Sequence, residues 1–211
     1  NLCNATPSAD GIGPLIVHSA SAVITGTEGT YSVPVDGFCT GPGTHVLRQG
    51  EMLMAIDVPA PASHFGAAYQ RFIPRNEMDI AVVGVASSLV LNAAGDRIES
   101  AMLALAAVGP TPIVAAAAAE SLVGKAPTEE SFREAGELAA DASSPIEDMR
   151  GTIEQRRELT RVLTRRTLAK AAERAVRGLG LPKKKREQKG RVDAAAAVLI
   201  LQSWLDEKVR S

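Results

Sequence analysis

Aromatic residues are scarce in this sequence of 211 residues, since Phe, Trp and Tyr together make up only 3% of it. Hydrophobic residues nevertheless reach 45%, so Ala, Val and other aliphatic side chains must fill the core. This composition is ordinary for a globular protein, and its length allows one large domain or two modest ones.

Cysteine is nearly absent, with only Cys3 and Cys39. Two cysteines exclude a disulfide framework and a Cys-x-x-Cys metal clamp, and they favour a reducing compartment, so we expect a cytoplasmic protein.

The three histidines, His18, His45 and His64, are too far apart for the spacing of a metal site. No P-loop and no Gly-x-Ser-x-Gly nucleophile elbow are present, which excludes two common chemistries.

Long hydrophobic runs are also lacking. The longest, 101–108 and 113–119, are rich in Ala and are separated by Gly109 and Pro110. Neither reaches the ~18 apolar residues of a membrane-spanning helix. We therefore expect no membrane insertion.

The net charge of −1 conceals a basic segment, because residues 150–191 contain fifteen Lys and Arg against four Glu. Such a segment could bind nucleic acid, or it could be the solvated face of a long helix. Acidic residues interrupt the run, and no aromatic residues alternate with the cations to stack on bases. The helix interpretation is therefore favoured, and no nucleic-acid partner is expected.

The first 60 residues are predicted to be rich in β-structure, with an apolar run beginning at Pro14. Alternating segments at Ala22–Gly26 and Tyr31–Val35 flank a turn and predict a hairpin. A second turn is predicted at Gly41-Pro42-Gly43. Alternation over Glu51–Val58 predicts a further strand.

Residues 66–108 are predicted to form three antiparallel strands, and helical periodicity follows. The sequence predicts an Ala-rich helix over Pro112–Val123, a helix capped by Thr128, and a long helix over roughly Gly151–Leu179. Beyond a basic link, an amphipathic helix is expected over Asp193–Val209.

The opening residues, Asn-Leu-Cys-Asn-Ala-Thr-Pro-Ser-Ala-Asp, carry the most specific signal. They resemble the "GGN-x-x-x-A-[ST]-P-x-[AS]-D" motif of the flavin subunits of molybdenum hydroxylases, which include xanthine dehydrogenases and aerobic carbon monoxide dehydrogenases. The segments at 36–43, 47–59, 69–81, 108–112 and 148–157 resemble further motifs of the same family in the same order. The resemblance extends over about 180 residues, and 183–211 lie outside it.

The resemblance implies an α+β fold in two parts. Residues 1–62 would be a partial flavin-binding (PCMH-type) lobe, and residues 63–180 the family's C-terminal domain with a three-stranded antiparallel sheet and helices. Residues 181–211 would form a basic linker and a terminal amphipathic helix. The family's flavin site also uses an earlier Gly-rich segment, so the sequence is expected to be N-terminally incomplete, with the other wall of the site on another segment or chain.

The same resemblance implies a set of FAD contacts. Small and hydrogen-bonding residues suit the approach of backbone N–H groups to a diphosphate. An acidic residue can accept hydrogen bonds from cofactor hydroxyls, and a cation can tune the flavin potential. The predicted cofactor-binding residues are Asn1, Asn4, Ala5, Ser8, Asp10, Leu53 and Arg71.

Outside the site, Arg75 is expected to pair with Asp79. The cluster Asp148, Arg150 and Arg157 is expected to hold a loop against the long helix. No residue of the chain is predicted to be catalytic in its own right, and no metal ligands are predicted.

The implied function is that of an oxidoreductase subunit that carries FAD. Molybdopterin and [2Fe-2S] clusters would lie on a large and a small partner subunit, in an assembly expected to be a dimer of heterotrimers. Electrons would pass through the clusters to FAD and on to an external acceptor. The alternative is a structural or assembly module of such a complex that holds no cofactor.

Overall fold

The computed structural model describes residues 2–75 and 79–178. Its strands are β1 (Ser21–Gly26), β2 (Gly29–Pro34), β3 (Cys39–Gly41), β4 (Thr44–His45), β5 (Met52–Asp57), β6 (Phe65–Phe72), β7 (Val83–Leu91), β8 (Ile98–Ala106) and β9 (Ile113–Val114). Its α-helices are α1 (Ile12–Val17), α2 (Ala116–Leu122), α3 (Glu129–Ala142) and α4 (Ile153–Gly178), and a 3₁₀ turn covers Val35–Gly37. This mixture of antiparallel sheets and helices confirms the predicted α+β class.

The N-terminal part contains a three-stranded sheet in the order β2-β1-β5. The predicted hairpin is confirmed, with Gly26 paired to Gly29, whose φ of 123° suits only glycine. The predicted turn is confirmed too, because Pro42 and Gly43 join β3 to β4. β5 pairs with β1 through a bulge opposite Val23 and Ile24, and its other edge has no partner among the described residues.

The C-terminal part is built on a four-stranded antiparallel sheet in the order β6-β7-β8-β9. The first three strands are those predicted from the sequence. β7 lies inside the sheet and is buried along almost its whole length. A strand buried on both faces has no polar face, which explains its nearly continuous apolar sequence.

Two hydrophobic clusters use opposite faces of this sheet. The larger cluster packs the sheet against α2, α3 and α4, with Leu89, Leu103 and Leu168 fully buried. The smaller cluster joins α1, β1 and the loop before α1 to Ala86 and Ala104 of the sheet. The sheet is therefore the wall that the two parts of the chain share.

Two local predictions differ from the structure. The apolar run that begins at Pro14 belongs to α1 rather than to a strand, because a short apolar run has no decisive periodicity and Gly13 lets this helix approach Ala86 closely. The predicted helix from Pro112 begins only at Ala116, since Ile113 and Val114 pair with β8 and add a fourth strand.

The remaining helices follow their sequence signals. The Thr128 hydroxyl caps α3 by accepting a hydrogen bond from the Ser131 N–H, and the Oγ of Ser131 accepts one in turn from the Thr128 N–H. α4 runs to Gly178, as its predicted length requires. The helix expected over Asp193–Val209 lies outside the described residues.

Four of the eight basic residues of α4, namely Arg156, Arg161, Arg165 and Arg177, pair with acids. Arg161 bonds to Glu137 and Glu158, and Arg165 pairs with Glu129. This arrangement supports the interpretation of the segment as a charged helix face, as far as the structure describes it.

No helix in residues 2–75 and 79–178 combines the length and the apolar character needed to cross a membrane.

Candidate functional site

The loop of residues 2–10 lies between the two parts of the chain. It consists of consecutive tight turns, in which the N–H of Ala5 donates to the Leu2 carbonyl and the N–H of Ala9 donates to the Thr6 carbonyl. Two further backbone bonds anchor it. The Gly43 N–H donates to the Ala5 carbonyl at 3.0 Å on one side, and the Ala107 N–H donates to the Pro7 carbonyl at 2.8 Å on the other.

The predicted contacts on this loop differ in accessibility. Asn1 lies outside the described residues. Asn4 is exposed and Ser8 is half-buried, and neither side chain has a hydrogen-bond partner in the described part of the chain. Ala5 is buried, and both of its backbone groups are engaged, so it shapes the loop rather than presenting a free polar group.

Backbone donors on the loop fit an anionic ligand. The N–H groups of Asn4, Thr6 and Ser8 donate to no acceptor within residues 2–75 and 79–178. These three N–H groups alternate along the loop, because the Ala5 N–H between them is engaged and Pro7 has none. Free backbone N–H groups in tight turns can bind a phosphate, where a larger side chain would obstruct the approach. The donor set therefore fits a diphosphate-containing cofactor such as FAD.

Asp10 ends the loop and is the centre of a polar cluster. Its Oδ1 accepts a hydrogen bond from the Tyr69 hydroxyl at 2.5 Å, and its Oδ2 pairs with Nη1 of Arg71. Burial, followed by the hydrogen bond to Asp10, raises the pKa of Tyr69 well above its usual value, so the hydroxyl stays protonated. The structure thus brings together two predicted residues, Asp10 and Arg71, and adds a third that sequence reasoning missed.

Leu53, the remaining predicted contact, lies on β5. It is half-buried against the smaller hydrophobic cluster and pairs in register with Ile24 of β1. Its place in the small sheet separates it from the polar cluster, which is attached to β6.

A cleft of about 640 Å³ opens beside the loop. Pro7, Ser8 and Pro42 form its N-terminal side, and segments around Ile80, Pro110, Ser144 and Ile146 form the rest, with charged groups from Asp148, Arg150 and Arg156. A mostly apolar cleft with a few polar groups at one end is the usual form of a cofactor or substrate site. The sequence alone could not find it, because its walls come from six separate segments.

Arg156 holds three of those segments together. It is only 4% exposed; its Nη1 donates to the carbonyls of Val82 at 2.9 Å and Ala107 at 3.1 Å, and its Nη2 donates to Oδ1 of Asp148 at 2.7 Å. The prediction assigned the helix contact to Arg157, which is exposed. That assignment is wrong by one residue, because one step along a helix turns a side chain by about 100°.

Asp148 receives two kinds of donor. The Arg150 N–H bonds to its Oδ1 at 2.8 Å, and the guanidinium of Arg156 bonds to the same oxygen. The Arg150 bond, then the Arg156 contact, lower the pKa of Asp148 in spite of its partial desolvation. The predicted role of Asp148 and Arg150 in holding this loop agrees with these contacts.

The predicted pair of Arg75 and Asp79 is confirmed, with Nε of Arg75 3.4 Å from Oδ2 of Asp79. Desolvation of Asp79 opposes the effect, but hydrogen bonds from the Ile80 N–H and from Arg75 leave its pKa lowered. No group of three His, Cys, Asp or Glu side chains arranged to bind a metal occurs in the described ranges.

Two protein-family models match the sequence. Residues 1–61 match the FAD binding domain in molybdopterin dehydrogenase, and residues 67–171 match the CO dehydrogenase flavoprotein C-terminal domain. The polar cluster therefore joins the two matched regions, since Asp10 belongs to the first and Tyr69 and Arg71 to the second.

Similar proteins have names that agree with these models. The chain is 31% identical over 173 residues to the xanthine dehydrogenase FAD-binding subunit of Escherichia coli O157:H7, a match that covers 81% of the chain and 58% of that subunit. It is 30% identical over 168 residues to the carbon monoxide dehydrogenase medium chain of Hydrogenophaga pseudoflava, covering 80% of the chain and 58% of the relative.

Solved structures agree as well. A carbon monoxide dehydrogenase of Hydrogenophaga pseudoflava that lacks the Mo-pyranopterin moiety matches with a TM-score of 0.78 and 31% identity, over 82% of the chain and 59% of that chain. Quinoline 2-oxidoreductase from Pseudomonas putida 86 matches with a TM-score of 0.74 and 30% identity, over the same shares. The chain thus spans just under three fifths of the length of the relatives that it matches.

Proposed function

The chain belongs to the FAD-binding subunit family of the molybdenum hydroxylases, and on that premise we propose that it holds FAD and serves in electron transfer. Bound FAD would supply the redox chemistry, taking electrons that pass from a molybdopterin centre through [2Fe-2S] clusters on partner subunits and giving them to an external acceptor. The partners would be a small and a large subunit in a dimer of heterotrimers, and the complex would be cytoplasmic.

One observation carries the proposal, namely the loop of residues 2–10 with its unused backbone donors beside the cleft. Free N–H groups of Asn4, Thr6 and Ser8 suit the diphosphate, and the exposed amide of Asn4 and the hydroxyl of Ser8 offer further hydrogen bonds. Asn1 is proposed as a further contact on the strength of the family resemblance alone. Ala5 would keep the loop in shape beneath it.

Other predicted contacts would act on the rest of the cofactor. Arg71 has one Nη group on Asp10 and further N–H groups to offer, so it would place a positive charge near the flavin. Asp10 would retain a free lone pair on each oxygen for cofactor hydroxyls. Leu53 would supply apolar contact from β5, where it is half-buried.

The cleft beside the loop would admit the acceptor. Its apolar walls suit a flat ring, and its charged end at Arg150 suits an anionic or carbonyl group. The division of the chain at residues 62 and 63 would then place the cofactor loop in one domain and most of the cleft in the other.

The alternative is a cofactor-free structural or assembly module of such a complex. It is favoured by one observation, that both carboxylate oxygens of Asp10 already have partners within the chain. A loop with internal partners needs no ligand to keep its shape.

The absorbance spectrum of the complex that co-purifies with this chain distinguishes the two. The proposal predicts flavin bands and about one FAD per copy of the chain after acid release. A complex that contains the chain and molybdopterin but no flavin would exclude the electron-transfer role and establish the structural one.

A further inference from the structure

The Tyr69 hydroxyl lies against Gly84, where there is no side chain to obstruct it. A Cβ on Gly84 would lie 2.8 Å from the Tyr69 hydroxyl oxygen, so any other residue at that position would displace it. Gly84 lies in the tightly packed strand β7, and its register partner on β6 is Arg71. The absence of a side chain at this point lets the hydroxyl reach Asp10.

The strand geometry directs Tyr69 and Arg71 to the same target. Residues two apart on a strand share a face, so both side chains leave β6 on the face opposite α4, where Gly66 and Ala68 pack. Each binds a different oxygen of Asp10. The carboxylate is therefore fixed between a hydroxyl and a guanidinium.

The contacts of Asp10 with Tyr69 and with Arg71 differ in how strongly each would fix the carboxylate on its own. The side chains of Arg71 and Asp10 are 37% and 38% exposed, and an ion pair at such a site is weak and screened by solvent. Tyr69 is partly buried, and its ring is packed against the smaller hydrophobic cluster. A partly buried hydroxyl that donates to a charged acceptor is a stronger constraint than an exposed ion pair.

From this difference we propose that Tyr69 is a positioning residue, which orients Arg71 toward the flavin by holding the Asp10 carboxylate in one rotamer. The inference rests on the proposed FAD site. It adds Tyr69, which touches no cofactor in this scheme and acts only through Asp10 and Arg71.

The variant Tyr69→Phe tests the proposal, because it keeps the ring in place and removes only the hydroxyl. In the purified complex, the FAD dissociation constant, followed by flavin fluorescence, is expected to rise about tenfold, a change typical of losing one hydrogen bond to a charged group. In an Arg71→Met background the same substitution is expected to weaken FAD binding by only about twofold to threefold, because Asp10 is then the one proposed cofactor contact left for Tyr69 to orient.

The chain offers a matched control, since Tyr31 is its only other tyrosine and also donates to a carboxylate, Oε2 of Glu51 at 2.9 Å. Tyr31→Phe is expected to leave the FAD dissociation constant unchanged. An equal loss of affinity from Tyr69→Phe in both backgrounds would assign Tyr69 a merely structural role and overturn the proposal. No effect of Tyr69→Phe in either background would overturn it as well.

The experiment also separates this inference from the function on which it rests. A complex of the unaltered chain that binds no FAD refutes the proposed function. A complex that binds FAD normally but is indifferent to Tyr69→Phe refutes only the role of Tyr69. The midpoint potential of the bound flavin gives a second readout, which is expected to shift in the same direction in Tyr69→Phe and Arg71→Met.

Discussion

The two sheets of this protein differ in how completely they are covered. The β6–β9 sheet has helices on both faces, and its strand β7 is almost wholly buried. In the β2-β1-β5 sheet, by contrast, Met52 and Met54 of the edge strand are 64% and 60% exposed. The first sheet therefore derives its stability from tight packing, whereas the second depends on contacts at its boundary.

The proposed cofactor site lies along the boundary between these two regions. The loop of residues 2–10 is bonded to the small β3–β4 hairpin at Gly43 and to the end of β8 at Ala107. The groups that would contact the flavin therefore come both from the well-covered β6–β9 sheet and from the more exposed N-terminal part. The substitutions below test how far this contrast holds.

The largest effect is expected where the packing is tightest. A Cβ on Gly66 would collide with backbone atoms of Ala171 and Ala175 in α4, so Gly66→Ala must move the helix from the sheet. We expect a loss of about 4 kcal/mol in the free energy of unfolding, measured by chemical denaturation. The control is Gly37→Ala in the 3₁₀ turn of the N-terminal part, where the added Cβ would have no atom within 4 Å apart from those of its chain neighbours. Equal losses in both variants would contradict the contrast.

The next effect concerns the boundary itself. Arg156→Met removes donors from the Val82 and Ala107 carbonyls and takes from Asp148 the closer of its two guanidinium partners. We expect the free energy of unfolding to fall by about 2–3 kcal/mol, because buried acceptors are left unsatisfied. The neighbouring Arg157→Met changes an exposed residue of the same type and is expected to cost less than about 0.5 kcal/mol. If the two variants were equally stable, Arg156 would not be the clamp between the segments.

The smallest effect is a change in pH dependence. The pKa of Asp148 is lowered in the folded protein, first by the Arg150 N–H and then by Arg156, so folding favours its ionised form. That stabilisation is fully present above the unfolded pKa of about 3.9 and is lost as the pH falls through the lower, folded pKa. Asp148→Asn is expected to be less stable than the unaltered chain at pH 6 and to approach it below about pH 4. A constant difference across this range, followed by denaturation, would show that the carboxylate charge is not involved.

Much of the fold could be predicted from the sequence, wherever the signals came from residues close together in the chain. The hairpin at Gly26 and Gly29 and the cap at Thr128 depend on residues close together in the chain. The short helix α1 was missed because six residues are too few to reveal a period, and its helical form depends on packing against the sheet.

The site was accessible only in part, for a related reason. A family motif pointed to Asp10, and a separate motif pointed to Arg71, but neither predicted that the two residues pair. Tyr69 and Arg156 were missed because their importance comes from contacts across 59 and 74 residues of sequence. Two sequence signals could have indicated Tyr69: it is the first residue of the segment 69–81 that resembles a family motif, and Gly84 leaves room for its hydroxyl.

The two bonds that anchor the loop share an unusual backbone feature. Ala5 and Ala107, which supply one group to each bond, have φ values of 42° and 65°, in the left-handed region that alanine rarely adopts. Each such residue lowers the stability of the fold by on the order of 1 kcal/mol, and this backbone strain is already present in the folded protein without a ligand. The loop is therefore pre-organised, and it loses little conformational entropy when a cofactor binds.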